Sequence, residues 1–357
     1  MDLLNNESAC PVYWNQEDLV FRSLLFTCMF LLQTVHAPAA QPEALTGLKQ
    51  LRKLYDRLPD RNTCDPGTLS QDQIQLALDT LNRIRAVHDL PPVVLDPALQ
   101  EETDRAALIV AASRTMNHAP PQDTPCYSSL GRMGSWHSNL HIHRYSVWDP
   151  DPESNSTSPR SREIRRRIDR NIPTTEKIVI DWLIDYRVEG VGHRRWVLDP
   201  FVERVAFSRV DLLTRQKQRW DLTTGSAVNV IAGTRESIPE ITPRTIAYPV
   251  GNYPSEWFQK GWYLSFSVMV TGSSVHANRY VHMDAADVQM ETMDGKPVPV
   301  SDVQWNDKLY GIPNLIFWKA DGLEDNREYR VTISNVRIGG IPKRYSYTFR
   351  LVSPSHR

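Results

Sequence analysis

The chain has 357 residues, 41% hydrophobic and 23% charged, which is long enough for two domains with separate cores and ordinary for a globular protein. Its formal net charge of −1 excludes the strongly basic balance of a nucleic-acid-binding chain. Twenty-five prolines and ten tryptophans fit loop-rich extracellular domains better than a helical cytosolic enzyme.

Residues 23–35 are an apolar run of signal-peptide length, behind Arg22 and ahead of the small-x-small pattern Ala37-Pro38-Ala39. A bilayer span needs about 20 apolar residues. The first forty residues therefore read as a signal region, and the mature chain as secreted, periplasmic or cell-envelope with no transmembrane span. Asp2, Glu7, Glu17 and Asp18 make the start unusually acidic for such a leader. Cleavage would remove Cys10 and Cys28, leaving Cys64 and Cys126 as candidates for one disulfide or as two buried thiols.

Residues 41–69 form an N-terminal extension in which Leu45, Leu48, Leu51, Leu54, Tyr55 and Leu58 recur at helical spacing. Ser70 is a suitable N-cap for a helix over 71–88, whose apolar face holds Ile74, Leu78, Leu81, Ile84 and Val87. After the extended segment 90–95, Asp96 and Pro97 predict the start of a second, alanine-rich helix running to about Thr115. A long loop is expected from His118 to about Asn171. Within it, His141 and His143 share a face if that piece is a strand, so they form a rival metal pair. Residues 149–159 read as a turn region, and residues 160–170 carry six arginines. That run suits an anionic polymer, although a solvated helix face paired to Glu163 and Asp169 accounts for it more simply.

A helix is expected from Thr174 to about Tyr186. Gly192-His193 then enters what reads as a strand through the alternation of Trp196 and Leu198, followed by strands over 204–210 and 227–231. Residues 236–247 read as a proline-marked linker. From 248 onward the pattern has period two. Strands are expected over 262–271, 287–292, 298–303, 314–319, 327–336 and 344–352, with Asp294-Gly295 turning one hairpin. Leu323 followed by Tyr329 resembles a tyrosine corner.

His118, then Ser138-Asn139-Leu140, then Trp182 to Asp185, then Gly192-His193 followed by Trp196 resemble, in order and spacing, the motifs of the CAP superfamily. These are the cysteine-rich secretory, antigen 5 and pathogenesis-related proteins, here of bacterial secreted type. The resemblance covers roughly residues 70–212. Its family pattern has glutamates where this chain has Ser138 and Asp185.

The period-two strands and tyrosine corner make residues 248–357 read as an immunoglobulin-like β-sandwich. The resemblance implies a three-layer α-β-α CAP domain over 70–235 ahead of the linker, so the expected fold is α+β. It also implies one cleft lined by His118 and His193, able to bind a divalent cation such as zinc, with Ser138, Asn139 and Asp185 beside them. Serine cannot replace a carboxylate base, and no Gly-x-Ser-x-Gly, His-Glu-x-x-His or P-loop pattern supplies another chemistry. Catalytic residues are not assigned.

The expectation is a protein that binds a small-molecule, lipid, glycan or protein ligand at the cell envelope, and no nucleic acid. The alternatives are a metal-dependent extracellular peptidase or esterase, with Asp185 as third ligand or base, and an inert CAP spacer for a binding sandwich. If the first two CAP helices pack antiparallel, Cys64 and Cys126 meet at one end of the pair with Cα atoms closer than about 7 Å.

Overall fold

Helices form where apolar spacing and caps agree. The chain is described by a computed structural model over residues 48–149, 158–216, 218–238 and 244–353. The expected signal region lies outside these residues, as do most of the turn region and residues 239–243 of the expected linker. α1 (Lys49–Leu54) ends early, because the chain turns into β1 (Tyr55–Arg57), which pairs with β2 (Thr68–Leu69). α2 (Gln71–Val87) buries Ala77, Leu81 and Ile84, but the hydroxyl of Ser70 at its N-cap position makes no capping bond. Asp96 does cap. Its Oδ1 accepts from Ala98 N at 3.0 Å ahead of α3 (Gln100–Ser113).

The expected loop after His118 contains α4 (Ser129–His137), β4 (Ser138–Trp148) and α5 (Pro159–Arg170). Glycines within that expected loop are contact points. A Cβ at Gly134 would lie 2.0 Å from the Glu102 carbonyl of α3, so α4 can touch α3 only there as glycine. Thr174 accepts from Lys177 N at 3.1 Å and opens α6 (Thr175–Ile184) as expected.

One sheet has the order β3 (Val94–Leu95), β5 (Arg204–Gln216), β6 (Arg219–Asn229), β4; only β3 and β5 run parallel. Alternation along the strands sends Val210, Leu212, Ala227 and Leu140 to the alanine-rich face of α3. Val205, Phe207, Leu222 and Val228 go to the other face, into the core that holds Leu81, Ile84 and Trp182 of α2 and α6. A Cβ at Gly225 would sit 2.4 Å from Ala111 N, so helix and sheet approach closely here.

Because α2 and α3 lie on opposite faces of the sheet, they do not form the expected antiparallel pair. The disulfide Cys64–Cys126 is present all the same, with a Cα separation of 5.3 Å. Its cause is different. The 60–65 turn folds over α3, where Arg105 Nη1 donates to Cys64 O at 3.1 Å and Arg61 Nη2 donates to Ala112 O at 3.4 Å. A bridge spanning 62 residues contributes roughly 4 kcal/mol through the unfolded chain.

The expected strand at His193 is a helix, α7 (Gly192–Val197). Asp185 Oδ2 accepts from His193 N at 2.8 Å and from Arg194 N at 3.2 Å, satisfying two free amides of its first turn. The alternation of Trp196 and Leu198 carried no information about that cap.

Beyond it, the last residues of the expected linker belong to β7 (Arg244–Tyr248), and β8 (Gly251–Pro254) follows, a strand the proline spacing concealed. β7, β9 (Leu264–Met269), β13 (Val300–Asn306) and β14 (Leu315–Ala320) form a four-stranded sheet in the order β13-β14-β9-β7. β8, β10 (Val281–His282), β11 (Asp287–Thr292), β12 (Pro297–Val298), β15 (Glu328–Ile338) and β16 (Ile341–Val352) form the second sheet.

The sheets face each other. Phe266 packs on Tyr345 and Tyr347, and Trp318 Nε1 donates to Met290 Sδ. The Asp294-Gly295 turn joins β11 to β12, and Glu324 N donates to Tyr329 OH at 2.8 Å, the bond of the expected tyrosine corner.

The described residues belong to one compact unit, and buried arginines join its two parts. Arg194 donates to Leu183 O and Ile184 O at the end of α6 and to Tyr263 O ahead of β9, with its guanidinium 3.8 Å from the Tyr248 ring centroid. Arg195 donates to Ile312 O at 2.6 Å, while Ile312 N donates back to Arg195 O. His88 Nε2 lies 3.1 Å from Tyr253 OH, and burial pushes this imidazole down to about 3. A buried guanidinium left without partners is costly, so these bonds hold the two parts together. The fold is α+β.

Candidate functional site

Asp185 ends α6 in the left-handed region, φ 55°, with its backbone N–H donating to Asp181 O at 2.8 Å. That turn directs its carboxylate back under α7. Oδ1 accepts from His193 Nδ1 at 2.7 Å, and Oδ2 takes the two amides of α7. Asp185 is 1% exposed and both its oxygens are engaged, so it acts as the anchor of His193. In the neutral ring, a proton on Nδ1 leaves Nε2 as an acceptor. Asn139 holds the same residue from the sheet side, its Nδ2 donating to His193 O at 2.9 Å.

His118 arrives on the loop after α3. Its Nδ1 lies 2.8 Å from Ser135 O on α4. A carbonyl only accepts, so this ring also carries its proton on Nδ1 and presents Nε2. Desolvation and the nearby charge of His193 hold the imidazole below its ordinary value, and the Ser135 carbonyl partly offsets them. The two histidines are close enough to influence one another, and each has its free nitrogen set by a fixed acceptor.

Ser138 and Asn139 are buried at the start of β4, and Ser138 Oγ has no partner among the described residues. Around them lie groups whose role had no signal in the sequence. Trp262 of the C-terminal part donates from Nε1 to Asp185 O at 3.0 Å, and its ring meets the exposed Tyr186 edge-on. His137 Nδ1 lies 3.1 Å from Glu102 Oε1, and Asn229 donates to the same oxygen. Met116, Met133 and Trp136 are exposed on the loop and helix that carry His118 and Ser135.

The rival pair behaves differently. β4 does place His141 and His143 on one face, but His141 Nε2 lies 3.4 Å from Asp181 and its ring packs on Trp182. Among the described residues, no three His, Cys, Asp or Glu side chains converge as a metal site.

Residues 78–212 match the family model described as CAP, the cysteine-rich secretory protein family. That stretch is similar to a CAP domain. The matched span holds His118, Ser138, Asn139, Asp185 and His193. A comparison with curated proteins finds no match. No helix among the described residues is long and apolar enough to cross a membrane. Within the matched span the two histidines come from separate segments, one from the α3–α4 loop and one from α7. The acid nearest to them faces inward.

Proposed function

We propose that the chain is an exported CAP-domain protein that binds an extracellular or envelope ligand through His118 and His193, and that it acts by binding rather than by catalysis. The observation that carries this reading is the pair of Nδ1 bonds, to Ser135 O and to Asp185, which leave two Nε2 acceptors with fixed tautomers. The Cys64–Cys126 bridge favours an oxidising compartment. The C-terminal sandwich, with its tyrosine corner, we read as immunoglobulin-like.

Two imidazoles fit a divalent ion such as zinc as far as their donors go, but a closed site takes four ligands and a catalytic one three. An ion held by His118 and His193 alone would rely on atoms of the ligand for its other positions. A hydrolase would also need a base beside bound water. Both oxygens of Asp185 are committed to donors, and Ser138 offers a hydroxyl only. Neither Ser138 nor Asp185 therefore offers the free base that the enzymatic alternative needs.

Titration of the wild-type chain with zinc in a calorimeter should give a saturable signal that His118→Ala and His193→Ala each abolish. Absence of binding, or equal binding in both variants, would remove the histidines from the account. A peptidase and esterase screen with and without chelator completes the test, because chelator-sensitive turnover would establish the enzyme instead.

A further inference from the structure

Away from the histidines, α1 and α5 bring together more positive charge than the rest of the chain would suggest. Their sequences, KQLRKL and PRSREIRRRIDR, hold nine Lys and Arg against two acids, in a chain whose formal net charge is −1. The helices meet end to side, with Gln50 N donating to Asp169 Oδ1 at 3.0 Å. Ile164 and Ile168 are the buried stripe of α5, so its arginines turn outward. Arg160, Arg162, Arg166, Arg167 and Arg170 are exposed, as are Lys49, Arg52 and Lys53 of α1.

The two acids neutralise only part of this field. Glu163 pairs with Arg166 at 3.7 Å and Arg170 at 3.3 Å, and Asp169 serves the α1 amide. Among the described residues, Arg160, Arg162 and Arg167 have no ion-pair partner, and neither do Lys49, Arg52 and Lys53. The expected pairing to Glu163 is present at Arg166 and Arg170, and the expected pairing to Asp169 is replaced by its bond to the α1 amide.

We infer that α1 and α5 form a docking surface for a linear anionic polysaccharide. Arg162, Arg166 and Arg170 recur every four residues, a spacing of about 6 Å along the helix, which suits an extended chain of charged groups. Guanidinium groups engage tetrahedral oxyanions with two parallel hydrogen bonds. A lipid bilayer is the poorer partner, because surface-bound helices insert exposed apolar side chains and neither helix presents a large one. Single-stranded nucleic acid is poorer too, because neither helix carries an aromatic ring for base stacking.

The test uses the full chain and heparin as the probe. Wild type should be retained on immobilised heparin at about 0.15 M salt, the physiological ionic strength. Arg160→Gln/Arg162→Gln/Arg167→Gln removes unpaired, exposed cations and should leave the thermal unfolding profile unchanged. Heparin affinity should fall by about tenfold or more, with a shallower dependence of log K on log salt, since fewer counterions are released. Lys49→Gln/Arg52→Gln/Lys53→Gln should weaken binding as well, which a site confined to α5 would not show. Passage of wild type through heparin at that salt would overturn the proposal. So would full affinity in the arginine variant, or equally tight binding to phosphatidylserine vesicles or a DNA duplex.

Discussion

Replacing Asp185 by asparagine isolates what its carboxylate does for His193. Oδ2 serves two backbone donors, at 2.8 and 3.2 Å, so an amide oxygen would stay there and turn its NH2 toward His193 Nδ1. Two donors cannot face each other, so the ring must move its proton to Nε2. The backbone adds little cost, because asparagine tolerates the left-handed conformation that Asp185 occupies at φ 55°. Each of the three bonds changes from a charged acceptor, worth about 1.5–3 kcal/mol, to a neutral one worth about 1, so the loss is roughly 3 kcal/mol. A fold with the usual 5–15 kcal/mol, as an order of magnitude, survives that change.

Urea unfolding would measure the cost, and ¹⁵N spectra of labelled histidine would report which ring nitrogen is protonated. The expected outcome is a folded variant in which His193 exchanges tautomers and His118 does not. Zinc affinity should drop by about 10–100-fold, the usual effect of losing a ligand's outer partner. A variant whose His193 keeps its proton on Nδ1 and binds zinc like wild type would refute the reasoning.

Gly225→Ala places a Cβ 2.4 Å from Ala111 N, so α3 must move off the sheet; a loss of about 1–3 kcal/mol or more in urea unfolding is expected, and a neutral substitution would contradict that packing. The acid limb of stability should carry the mark of His88, held down to about 3 from 6.5 by burial. The unfolded chain binds a proton there that the native state excludes. Its stabilising effect is therefore full above pH 6.5 and declines by up to about 1.4 kcal/mol per unit as pH falls toward 3. Buried Asp199, pushed up to about 6 from 3.8, acts in the opposite sense and costs stability as pH rises through that interval. The two oppose each other between pH 4 and 6, so the comparison is wild type against His88→Gln. The difference in unfolding free energy should change across that range, and a constant difference would count against the buried neutral imidazole.

Much of the fold was legible because local signals agreed with one another. Asp96-Pro97 and Thr174 announced helix starts, and the period-two pattern of 287–292 marked β11 with its bounds. Legibility failed where a tertiary contact decided the local structure. α7 reads as a strand until Asp185 supplies its cap, and the stretch holding Gly131 and Gly134 reads as loop until α3 lies against it. The disulfide was expected from a helix pairing that does not occur. It forms because the 60–65 turn is tied to α3 by Arg61 and Arg105.

At the site, chain order picked out His118, Asn139, Asp185 and His193, since side-chain identity is written in the sequence. The orienting partners could not be read there. Ser135 contributes a backbone carbonyl, which every residue has, and Trp262 comes from the bend ahead of β9, 69 positions after His193. The inward turn of the Asp185 carboxylate, which takes it out of contention as a base, depends on a left-handed backbone that no motif recorded.

The central proposal is that His118 and His193 hold one ligand through their Nε2 atoms. A crystal of the disulfide-bonded protein soaked in zinc, with anomalous data collected at the zinc edge, tests it most directly. The account predicts one strong peak about 2.0–2.1 Å from both Nε2 atoms, its remaining positions filled by water or ligand. A peak at His141 and His143 with none between His118 and His193, or no ordered zinc at all, would contradict it.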